Sequence, residues 1–150
     1  MNLAPHFTLA ELTVSRTASR LGLDNRPDPT SLDNLRKLAA FLEQVRSTLG
    51  DNPVIISSAF RTPEVNRAVG GARNSDHMRG LAADFLVPGF GSPIAVCRAL
   101  DASPLVFDQL IYGRIYTHIG IAAAGETARR QVLTATGSGS YTPGLPPARR

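Results

Sequence analysis

The chain has 150 residues, 43% hydrophobic and 19% charged, enough for one folded domain with a full core; this excludes a disordered polar chain and a metal- or disulfide-dependent miniature fold. Lys and Arg number 16 against 12 Asp and Glu, a formal charge of +4. The single cysteine, Cys97, excludes an intrachain disulfide framework and a thiolate metal cluster, and reads as a small core residue.

In chain order, the first thirty residues carry short apolar clusters, Phe7, Leu9 and Leu12, then Leu21 and Leu23. The turn-prone stretch Asp24 to Pro29 follows, so one or two short helices and a loop are expected. From Ser31, the spacing of Leu32, Leu35, Leu38, Ala39, Leu42, Val45 and Leu49 predicts a helix, with Thr30 or Ser31 as N-cap and Gly50 as terminator. Val54-Ile55-Ile56, running to Phe60, predicts a buried strand. A second helix follows, with Thr62 as N-cap, Pro63 at its first position and Gly70-Gly71 at its end. Ala82 to Val87 reads as a strand and Ser92-Pro93 opens another helix. Short strands are expected around Gln109–Tyr112 and Tyr116–Ile121, with an edge strand at 130–135. This order predicts an α+β domain with a small, mainly antiparallel sheet and flanking helices.

Residues 1–136 are read as the domain and 137–150 as a flexible C-terminal tail, since the tail is rich in Gly, Pro and Ser. Arg129, Arg130, Arg149 and Arg150 supply much of the positive charge, and no aromatic residues interleave with them as stacking platforms. They read as a solvated basic segment, so no nucleic-acid partner is expected. The opening residues lack the pattern of a secretory signal and no stretch approaches a membrane span. Synthesis in the cytoplasm as a monomer is the expectation.

Three histidines occur, His6, His77 and His118. His6 has no carboxylate near it in sequence. His77 sits in a polar loop, Asn74 to Gly80, where the glycine permits a tight backbone passage. Asp84 follows inside the apolar run Ala82 to Val87. A carboxylate there is costly unless it turns outward, pairs with Arg61 or Arg79, or binds a cation. His118 repeats the anomaly between Thr117 and Ile119, and a hydrogen-bonded core histidine explains it equally well. Taken together, two imidazoles and one carboxylate are a three-ligand set of the kind that holds catalytic zinc, and they suit calcium or magnesium poorly. Arg61, at the end of a predicted strand, is either a surface cation or a clamp for a substrate carboxylate or oxyanion.

Ser58-Ala59-Phe60-Arg61, Asn66, Gly70-Gly71, the string Ser75-x-His77-x-x-Gly80-x-Ala82-x-Asp84 and the late Tyr116-Thr117-His118 resemble the zinc D-Ala-D-Ala carboxypeptidase family of peptidoglycan peptidases, with its phage endolysin and prophage members. The resemblance runs from about Phe7 to Ile121. It implies a hedgehog/D-Ala-D-Ala-peptidase-like fold, Zn2+ held by His77, Asp84 and His118, Arg61 as substrate and transition-state clamp, and Ser75 bonded to the substrate. The implied partner is the peptidoglycan stem peptide, met in the cell wall after phage lysis or from within a virion. One departure stands out. The family's acid shortly before the last histidine, a general base, has no counterpart between Gln109 and Thr117; Gly113 or Ile115 takes its place, and Asp108 is the nearest carboxylate upstream. The alternative expectation is therefore a zinc-containing cell-wall-binding or phage structural module with weak or lost hydrolysis.

Overall fold

The computed structural model describes residues 1–137 and 139–148. A small hairpin, β1 (Asn2–Ala4) and β2 (Phe7–Thr8), opens the chain. Helix α1 (Leu9–Thr13) begins at once because Thr8 and Glu11 form a reciprocal capping box. Helix α2 (Arg16–Leu21) is capped by Ser15 and closed by Gly22 in the left-handed region. The short helices and the loop are as expected; the hairpin is too brief to leave a period-two signature.

Helix α3 (Pro29–Thr48) starts two residues earlier than its apolar stripe suggests. The N-cap is Asp28, whose Oδ1 accepts from Ser31 N–H at 2.7 Å, and Pro29 at the first position is already set for helical φ. Thr30 and Ser31, the expected caps, lie inside the first turn. Helix α4 (Pro63–Ala68) keeps its predicted cap, Thr62, and α5 (Pro93–Asp101) is capped by Ser92.

Strands β3 (Ile55–Ser58), β4 (Ala82–Leu86), β5 (Gln109–Tyr112), β6 (Thr117–Gly120), β7 (Gln131–Gly137) and β8 (Ser140–Pro143) form one sheet, ordered β3-β4-β6-β5-β7-β8. The α+β class holds, but the sheet is mixed rather than mainly antiparallel, because β7 runs parallel to β5. The reason lies in the connection: β6 runs opposite to β5, the chain reverses once more, and β7 then lands on the free edge of β5 in the same direction. Nor is β7 an edge strand, since β8 pairs outside it. The segment expected as a flexible tail therefore supplies β8, and Leu145 beyond it packs against the core. Of the basic residues assigned to solvent, Arg129 and Arg130 are exposed as expected but also make specific hydrogen bonds. Arg129 pairs with Asp108, and the guanidinium of Arg130 donates to the carbonyls of Ser103 at 2.6 Å, Asp101 at 3.0 Å and Leu105 at 3.1 Å, satisfying groups at and beyond the end of α5. Arg149 and Arg150 lie outside the described residues.

Alternation along the strands decides which face receives chemistry. Ala83, Phe85, Leu110 and Ile119 join Leu35, Leu38, Leu42 and Val45 of α3 and Leu100 of α5 in one core. Removing a fully buried leucine such as Leu38 would cost about 2–5 kcal/mol. Cys97 on α5 is buried, and burial pushes its thiol up to about 11, the behaviour of an inert core residue. Asp84, His118 and Ile111, in register across β4, β6 and β5, take the opposite face.

Candidate metal centre

Asp84 and His118 are direct register partners of β4 and β6, so both side chains leave the sheet side by side. His118 Nδ1 lies 2.8 Å from Asp84 Oδ1. His77 arrives from outside the sheet, on a single 3-10 turn (Asp76–Arg79). Ser75 caps that turn and Gly80 ends it at φ +74°, where a Cβ would lie 2.7 Å from the Ser31 carbonyl oxygen. The tight passage read from sequence is thus the contact of this turn with α3. His77 Nε2 comes to 3.3 Å from Asp84 Oδ1, and one ligand atom from each of His77, Asp84 and His118 lies within 4.8 Å of the others.

These distances bear on the alternatives left open by sequence. Asp84 neither turns outward nor pairs with Arg79, which binds Asp76 and Glu126 instead. His118 is a hydrogen-bonded histidine whose partner is Asp84. Burial pushes the Asp84 carboxyl up, but the hydrogen bond from His118, together with the adjacent His77, outweighs it and holds the group well below the usual carboxylate range. His6, by contrast, faces Glu43 at 2.8 Å on an exposed surface and takes no part.

The orientation of His77 depends on an atom no side-chain pattern announces. Its Nδ1 lies 2.6 Å from the carbonyl oxygen of Ala59, which can only accept. In the neutral ring the proton therefore sits on Nδ1 and the lone pair of Nε2 faces Asp84, the outer-shell arrangement common to metal-binding histidines. Two imidazoles, one carboxylate and a fixed tautomer fit Zn2+, whose catalytic sites use three protein ligands.

Arg61 and Ser75 stand beside this cluster. The Arg61 backbone N–H donates to the His77 carbonyl at 3.1 Å, and its Nη2 donates to Ser75 Oγ at 3.4 Å. Ser75 Oγ also accepts from His77 N–H at 3.2 Å, which leaves the hydroxyl proton of Ser75 free for a ligand. Arg61 Nε is buried without a protein partner among the described residues. Burial lowers the pKa of Arg61, while the charges of Asp84 and Tyr116 act in the opposite sense. Burial raises that of Tyr116, with Asp84 adding to the shift and Arg61 opposing it. These three groups therefore share one electrostatic neighbourhood.

Asp108 does not supply the missing acid. Its two oxygens accept from Arg129 Nη2 at 2.8 Å, Arg129 Nε at 3.1 Å and the Arg129 backbone at 3.0 Å, all at the start of β5. The cluster of His77, Asp84 and His118 contains no second carboxylate. The Ala59 carbonyl escaped the sequence reading, since a backbone oxygen leaves no side-chain signal, whereas Tyr116, two residues before His118, is near the site by sequence as well.

The Peptidase M15 family profile matches residues 5–122. Over 43 residues, 29% of this chain, the sequence is 46% identical to the zinc D-Ala-D-Ala carboxypeptidase of Streptomyces albus G, and the aligned stretch spans 17% of that protein's length. The matched profile runs through the helix α3, the turn bearing His77 and both strands that carry Asp84 and His118, and the chain belongs to the Peptidase M15 family.

Proposed function

We propose that the chain is a zinc peptidase that hydrolyses an amide of the peptidoglycan stem peptide, as a D-Ala-D-Ala carboxypeptidase or a related endopeptidase on the same general fold. His77, Asp84 and His118 would hold the metal, and their convergence from three separate segments is the observation that carries the reading. When bound, Zn2+ supplies a Lewis acid that polarises the scissile carbonyl and lowers the pKa of water. The Ala59 carbonyl keeps His77 in the ligating tautomer. Arg61 offers a desolvated guanidinium for the substrate carboxylate or the oxygen on which charge develops, and Ser75 offers its free hydroxyl proton to the peptide backbone. Phage lysis or a virion component remains the proposed route to the cell wall.

The test combines elemental analysis with a release assay. Stoichiometric zinc together with amino acids liberated from purified peptidoglycan, both abolished by a chelator, is the expected result; zinc-loaded protein inert on every stem peptide overturns hydrolysis. A second reading, a zinc-containing cell-wall-binding or phage structural module, is favoured by the absence of any carboxylate from Gln109 to Thr117. Chelator-sensitive retention on intact peptidoglycan without release of amino acids would select it.

A further inference from the structure

The hairpin between β5 and β6 closes with Gly113 N–H donating to the Tyr116 carbonyl at 3.0 Å, which continues the pairing of Ile111 with His118 and Tyr112 with Thr117. In that register residues 113 and 116 lie opposite one another. Two residues from Ile111 and from His118, respectively, they direct substituents to the face of the sheet that carries Asp84 and His118. Gly113 has no substituent, and the Tyr116 ring lies across it: a Cβ at Gly113 would meet Cε1 at 2.5 Å and Cε2 at 2.7 Å. The half-buried ring thus occupies the space that any other side chain at position 113 would take, beside the candidate metal centre. Its hydroxyl-bearing Cζ is the ring atom nearest Gly113, and the register puts Tyr116 on the same sheet face as His118 and Asp84.

A phenol at neutral pH is a neutral donor, and a guanidinium is a charged one; neither serves as a base. Donors beside a cluster whose only carboxylate faces its own histidines suit an oxygen acceptor. We propose that Tyr116, seated on Gly113, is a substrate-contacting residue whose hydroxyl donates a hydrogen bond to the same carbonyl or carboxylate oxygen of the peptide that Arg61 addresses. This rests on the reading of the site as one for a stem peptide. Gly113 is then required as the floor of the tyrosine, since alanine would push the ring off its seat.

The experiment uses the zinc-loaded full chain and an N-acylated tripeptide ending in D-Ala-D-Ala, with affinity measured by calorimetry and turnover measured separately. Tyr116→Phe keeps the ring and removes only the donor. It is expected to weaken peptide affinity or kcat/KM about ten-fold, as for one lost hydrogen bond, with zinc content unchanged. Gly113→Ala should lose at least as much, also with its zinc retained. If Tyr116→Phe matches the parent in both affinity and turnover, the proposal is wrong while the peptidase reading stands. If the parent binds the peptide without cutting it, hydrolysis falls, and a ten-fold weaker Tyr116→Phe complex still upholds the contact. A parent that neither binds nor cuts this peptide overturns the proposed contact to a D-Ala-D-Ala terminus, while the peptidase reading is decided by the release assay on purified peptidoglycan.

Discussion

His118 and Asp84 are paired residues of adjacent antiparallel strands, and their side chains meet at 2.8 Å on the face of the sheet turned away from α3 and α5. That pairing places two of the three candidate ligands on interior strands of the sheet, and leaves the third, His77, on a turn whose position depends on a glycine and a backbone carbonyl.

Loss of a donor should therefore empty the site without unfolding the sheet. His77→Ala and His118→Ala are each expected to lose most of the bound zinc, as read by elemental analysis after dialysis. Unchanged zinc in His77→Ala would show that the ligand assignment is wrong. Far-ultraviolet circular dichroism should stay close to that of the parent.

The proposed role of Arg61 is to hold the substrate rather than the metal. Arg61→Ala should keep its zinc and lose about 10²–10³-fold in turnover, the scale for removing one oxyanion donor. Lysine should recover only part of this, because a point charge replaces a planar fork that also reaches Ser75. A variant with full turnover would remove Arg61 from the chemistry.

Gly80 tests the turn that carries His77. Its φ of +74° and the 2.7 Å approach of a Cβ to the Ser31 oxygen predict that Gly80→Ala costs about 1–3 kcal/mol, measured by denaturant unfolding. Because strain there moves His77, zinc affinity should fall in the same variant. Parent-like stability would mean that the turn relaxes away from α3.

Asp108 governs part of the acid limb of stability. The bond from Arg129 holds its carboxyl below the ordinary value, although burial opposes this. A depressed folded pKa stabilises above the unfolded value, about 3.9, and that contribution disappears as pH falls through the folded one. Asp108→Asn should therefore lower Tm at neutral pH and flatten its decline below about pH 4. An acid limb as steep as the parent's would assign it to other carboxylates.

Much of this architecture is legible along the chain because its signals are local. The apolar stripe from Leu32 to Leu49 marks α3, Thr62-Pro63 and Ser92-Pro93 mark two helix starts, and Asp84 and His118 stand out as polar residues within apolar runs. Boundaries slip where two caps compete, as at Asp28 against Thr30 and Ser31. The β8 strand leaves no mark in the sequence because Ser140 to Pro143 buries little and is held by pairing with β7, an interaction that composition does not encode.

Residue identity and spacing mark the longer helices, single out Asp84 and His118 as polar residues in apolar runs, and show that no acid stands from Gln109 to Thr117. Which face those residues share, which nitrogen of His77 is turned inward, and how Tyr116 comes to rest on Gly113 follow from strand register and from a carbonyl eighteen positions away. Side-chain chemistry travels with the residue, whereas register and tautomer are settled by partners distant in the chain that meet only when the sheet closes.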